Sequence, residues 1–221
     1  MFHWLEKNPF FFSVGVFVVI AFAGLIEILP NFAEASRPVA GLKPYTVLEL
    51  AGKNVYKKDA CIACHSQLIR PFKSETDRYG QVSLSGEYAY DRPFLWGSKR
   101  TGPDLHRVGN YRTTDWHENH MWDPQSVVPQ SIMPAYQHMF SNLAGIETAY
   151  AEAVTVKRVF DTPYDQPNGT KLGTWEEAQS AALVEAKAIT ADMKNQDVKD
   201  AVKAGDIPEI VAMIAYLNRL K

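Results

Sequence analysis

The sequence predicts a mainly α-helical chain with one membrane-spanning helix at its N-terminus, and three observations point there. Residues 10–29 form a long apolar run, alanine-rich and amphipathic stretches with helical spacing fill much of residues 149–217, and no Val/Ile-rich strand runs alternate with them. The 221 residues carry a net charge of −2 and are 46% hydrophobic. Setting aside about 30 residues for the anchor leaves about 185, enough for one globular domain with its own core. A near-neutral chain offers no broad basic surface to a phosphate backbone, so no nucleic-acid partner is expected.

Phe10 to Ile26 is apolar apart from Ser13, Gly15 and Gly24, and Ile28 and Leu29 carry the run past Glu27. About 20 residues at 1.5 Å rise give roughly 30 Å of helix, the thickness of a bilayer core. A cleaved secretory signal is the rival, because Ala33-Glu34-Ala35 resembles a small-residue cleavage site. The run exceeds the roughly 7–15 residues of a signal core, so residues 1–30 are expected to remain as an anchor. Glu27, near the outer end, would either reach the headgroup layer or touch a neighbouring membrane helix. Pro30, Pro38, Gly41 and Pro44 then mark residues 31–45 as an extended linker.

Residues 46–221 form the domain, and its chemistry centres on Cys61-Ile62-Ala63-Cys64-His65. Two cysteines three apart, followed at once by histidine, form the attachment pattern for a c-type haem. The cysteines would hold the porphyrin through thioethers and His65 would bind the iron. Structural zinc would need further ligands, usually a second close pair, and Cys61 and Cys64 are the only cysteines. A thioredoxin-like pair would want a βαβ setting. A disulfide closing so short a loop would stabilise little. One covalent haem c is therefore expected. Flanking charges do not orient the anchor, with Lys7 before it and Arg37 and Lys43 after it. Haem c is attached on the outer face of the bacterial inner membrane, which implies a single-pass protein whose haem domain lies in the periplasm.

Thr46 to Tyr56 suits a short helix whose end is weakened by Gly52 and Asn54. Cys61 to Leu68 should continue as a helical turn. Gly102-Pro103-Asp104-Leu105 marks a turn. For the sixth ligand, Met133 is the first candidate, because Pro129 and Pro134 pin the irregular segment around it. Met121 and Met139 are the alternatives, whereas Met193 and Met213 look structural; core packing is the bland reading for any of them. Trp116-His117-x-x-His120 could place two imidazoles on one helix face, yet no further ligand completes a metal set, so packing is expected. Residues 57–112 hold 10 basic and 6 acidic residues, while residues 142–206 hold 7 basic and 11 acidic ones. The later block reads as a helical insert broken at Asp161–Gly169, able to cover the domain or contact a partner. A last helix follows Ile207-Pro208, with Ile210, Val211, Ile214, Tyr216 and Leu217 on a broad apolar face.

Several of these segments resemble class I cytochromes c. There the proline carbonyl of a G-P-x-L turn, here Pro103, accepts a hydrogen bond from the proximal histidine, and a C-terminal helix crosses the N-terminal one beside the haem. That places Tyr216 at the porphyrin edge or at the helix crossing. The retained N-terminal helix, the Cys61–His65 motif, the Gly102–Leu105 turn, Trp116-His117, Val128–Pro134 and the helical insert together resemble the membrane-anchored monohaem subunit of cbb3-type cytochrome c oxidases, often called subunit II or FixO. The polar stretch 168–175 departs most from that pattern. The resemblance implies a relay: electrons arrive from a dihaem c subunit or a soluble cytochrome c, cross this haem, and pass to haem b of the catalytic haem–copper subunit. Oxygen is reduced to water there, with proton pumping. The chain itself would hold no catalytic centre. The rival assemblies are the monohaem subunit of a nitric oxide reductase, usually shorter, and a free-standing anchored electron carrier.

Overall fold

The computed structural model describes residues 2–33 and 37–221, and the chain divides into two compact units at Arg37/Pro38. Glu34 and Ala35 of the candidate cleavage site lie outside the described residues.

The first unit holds α1 (Phe2–Lys7) and α2 (Pro9–Ala33). Residues Pro9–Pro30 have a mean hydropathy of 2.5 and are long and apolar enough to cross a membrane. The linker was expected to begin after Pro30. The helix instead runs through Pro30 to Ala33. Proline forfeits one amide donor, which an exposed helix end can tolerate.

In the second unit, α3 (Val47–Lys58) begins at a capping box in which Thr46 Oγ1 accepts from the Glu49 amide at 3.1 Å and Glu49 accepts from the Thr46 amide at 2.8 Å. It does not weaken at Gly52. There α3 crosses the last helix so closely that a side chain would strike the Ala212 backbone and lie 2.8 Å from Tyr216 Cβ. Glycine is the crossing point, not a helix breaker.

Short α4 (Lys73–Tyr79), α5 (Thr114–Trp122) and α6 (Pro124–Val127) follow among long irregular segments. The insert is α7 (Ile146–Phe160), α8 (Trp175–Ala191) and α9 (Gln196–Ala204), and α10 (Glu209–Arg219) closes the chain. Ala149 and Ala153 of α7 and Ala178, Ala182 and Ala186 of α8 are buried, one turn apart on each helix. Small side chains at this spacing let α7 and α8 lie close against α3, and α8 also packs on α10. The insert shares the core of α3 and α10 instead of covering a finished domain. The polar stretch after Asn168 is tied down as well: Asp165 accepts from the Leu172 and Gly173 amides at 2.8 and 3.0 Å.

From Glu209 to Leu217 every residue of α10 is buried. Tyr216 lies at the α3–α10 crossing, its ring centroid 5.5 Å from that of Tyr56, and its hydroxyl donates to Gln67 Oε1 at 2.9 Å.

Candidate functional site

The end of α3 delivers the chain into the cysteine motif. Ala60 adopts a left-handed conformation with φ 55°, and Cys61–Ala63 form a single 3₁₀ turn. The amides of Cys64 and His65 both donate to the Cys61 carbonyl, at 3.1 and 2.9 Å. That turn carries both cysteines as free thiols. Cys61 is buried, and its thiol is pushed up to about 12, chiefly by burial and then by the Asp59 charge. Cys64 is exposed.

The helical turn expected to reach Leu68 stops at the cysteines, because other acceptors compete for the amides that follow. Gln67 N donates to Trp96 O at 2.8 Å and Leu68 N to Asp104 Oδ2 at 2.8 Å. The chain is drawn out beside residues 102–105, whose amides return the pairing: Gly102 N donates to Cys64 O at 2.9 Å and Leu105 N to Ser66 O at 2.8 Å.

This docking sets the imidazole. His65 Nδ1 lies 2.8 Å from the Pro103 carbonyl oxygen. A carbonyl can only accept, so Nδ1 carries the proton and Nε2 keeps its lone pair for a metal. Burial holds the His65 pKa below its ordinary value, against the opposing pull of the Pro103 bond and Asp104. Gly102 is the seat of the ring: a Cβ there would lie 2.8 Å from both ring nitrogens.

Asp104 is the residue that sequence reasoning missed. It is 1% exposed and accepts from Ser66 Oγ at 2.7 Å, Leu68 N at 2.8 Å and His106 N at 2.9 Å. Arg100 reinforces the same seam, donating to Ser66 Oγ, Leu68 O and Glu75. Nothing in the spacing of Asp104 signals this, since its partners on the other strand of the seam are 36 to 38 positions away.

Met133 follows α6 in a loop held by its own polar groups. Ser131 N donates to Val128 O at 2.8 Å, Ser131 Oγ accepts from Met133 N at 3.2 Å, and Gln125 donates to Ser131 O at 3.2 Å. Met133 is half-buried against the core. The alternatives Met121 and Met139 are 7% and 0% exposed, and Met193 and Met213 are 2% and 0% exposed. Among the described methionines, Met133 alone keeps an open flank.

On α5, His120 stacks on Trp116 with centroids 4.4 Å apart, and His117 is 2% exposed. Burial, followed by the neighbouring cations, pushes both imidazoles down to about 4. His120 lies near enough to His65 to be coupled to it electrostatically, so α5 flanks the histidine as packing. His117 and His120 belong to no metal-ligand group among the described residues.

A family model described as the cytochrome c oxidase mono-haem subunit, FixO, matches residues 2–221. The chain belongs to the FixO family. A comparison with curated proteins finds no match. FixO proteins are electron-transfer subunits of an oxidase complex, so this chain carries one haem, has oxidase partners, and bears a helix able to span a membrane. The assembly named is an oxidase, the first of those weighed from the sequence. The residues present fit the group that the FixO family implies: two thiols on one turn, an imidazole with Nε2 free, and a glycine seat that leaves room for that ring.

Proposed function

We propose that this FixO chain is the covalent haem c relay of a cbb3-type oxidase in the bacterial inner membrane, its domain facing the periplasm. The observation that carries the reading is the Cys61–Cys64–His65 turn with its imidazole aimed by Pro103. Cys61 and Cys64 would hold the porphyrin as thioethers, and His65 Nε2 and Met133 would ligate its iron. When bound, the haem supplies a one-electron ferric/ferrous couple. Pro103 fixes the tautomer and direction of His65, and the Asp104 seam holds Pro103 in place. With His65 and Met133 both ligating the iron, oxygen would find no place to bind, and this chain would serve transfer alone. The donor is a dihaem c subunit or soluble cytochrome c; the acceptor is the catalytic haem–copper subunit, where oxygen is reduced to water with proton pumping.

Mass spectrometry of the denatured chain should show one added haem, and Cys64→Ala should reduce attachment. An unmodified chain mass in the active membrane complex would overturn the covalent reading.

A further inference from the structure

Three side chains from distant parts of the chain meet beside the cysteine turn. Asp59 caps the end of α3, His138 lies in a 3₁₀ turn at Gln137–Phe140, and Glu209 opens α10. One potential ligand atom from each lies within 4.8 Å of the other two. His138 Nε2 donates to Asp59 Oδ2 at 3.0 Å. Glu209 is 6% exposed; its Oε1 pairs with Lys58, but its Oε2 is shielded and has no hydrogen-bond partner. A buried carboxylate oxygen without a donor is costly, and the α10 N-terminus offers it a favourable dipole but no bond.

We propose that Asp59, His138 and Glu209 bind one divalent transition-metal cation, for which zinc is the best match. One imidazole nitrogen and two carboxylate oxygens form a borderline donor set, and zinc accepts three such protein ligands with water in the fourth position. Calcium and magnesium want more oxygens and no imidazole. Two ligands on tetrahedral zinc stand about 3.3 Å apart, close to the present Asp59–His138 separation. The cation takes the place of the proton on Nε2, which moves to Nδ1, and of the Lys58 ammonium, so a neutral imidazole and two carboxylates balance its two charges. The displaced ammonium has somewhere to go, since the Lys58 side chain is 50% exposed. The bound cation would clamp the segment after Met133 onto the residue that leads into Cys61. The site stands whether or not Met133 ligates iron.

The test is calorimetric titration of chelator-treated, haem-loaded full-length protein in detergent with zinc alone, and with magnesium as control. One zinc per chain should bind, magnesium should not compete, and His138→Ala and Asp59→Asn should each weaken binding by at least about tenfold. His138 is too exposed for its loss to unfold the domain, and Asp59→Asn keeps the shape. Absence of saturable binding would overturn the proposal. So would zinc binding undiminished in both variants, which would assign it to other groups.

Discussion

The two sides of the proposed haem site are built differently. On the His65 side, two segments far apart in sequence are sewn together by amides, by the buried Asp104 and by Arg100. On the Met133 side, the polar bonds of the loop run within residues 124–133, and Ile132 beside the methionine is 79% exposed. The histidine is held by the tertiary fold; the methionine is held by its own loop. Stability should therefore depend on the first side and ligand identity on the second, which is where exchange of a ligand costs the fold least.

The sharpest way to break this comparison is Asp104→Ala. It leaves three donors, two of them buried, without their acceptor and takes one of two carboxylate neighbours from Arg100, so a loss of about 3–5 kcal/mol is expected. Urea unfolding of the holoprotein measures it. A loss below about 1 kcal/mol would place the support of His65 elsewhere.

Gly102→Ala comes next. The added methyl must displace the imidazole or the 102–105 loop, at a cost of about 1–3 kcal/mol from overpacking. It should also lengthen the His65–Pro103 bond and alter the haem absorption spectrum, because ring orientation sets ligand strength. An unchanged spectrum alongside a stability loss would mean that the loop yields and the ring stays.

Met133→His should reverse the balance of effects. The residue is only half-buried, so stability should change by less than about 1.5 kcal/mol. The midpoint potential should fall, because a thioether favours the ferrous state more than an imidazole does, and the sulfur-to-iron charge-transfer absorption should vanish. Persistence of that absorption would move the assignment to Met121 or Met139, despite their burial.

These contrasts also explain what could be read from the chain. The apolar anchor and the α10 stripe are local patterns, and each forms a helix where its period placed it, the anchor running on to Ala33. Gly52 misled because its value lies in a contact with Ala212, about 160 residues away, which helix propensity does not register. Lys53 is 1% exposed in mid-α3 and pairs with Asp91, a buried ion pair announced by no motif. Asp104 and the Asp59–His138–Glu209 cluster are likewise products of the tertiary fold alone. The insert's alanines showed helix, but not that the helices complete the core.

The last effect expected is an acid one, and it isolates a single element of the His65 side. Glu75 is 6% exposed, and its carboxyl is held down at about 2, first by the hydrogen bond from Arg100 and then by those from Arg70, against the opposing effect of burial. Unfolding returns it to about 4.5, so the unfolded chain binds the proton more readily. The stabilisation is complete above about pH 4.5 and is lost as pH falls towards about 2. Wild type should therefore exceed Glu75→Gln in stability at neutral pH, and the two curves should converge between those limits as the native carboxylate takes up its proton. Parallel curves would show that Arg100 is held by Ser66 and Leu68 without help from Glu75. The variant should leave the Met133 spectrum unchanged at neutral pH, because none of the bonds that hold the methionine loop reaches Glu75.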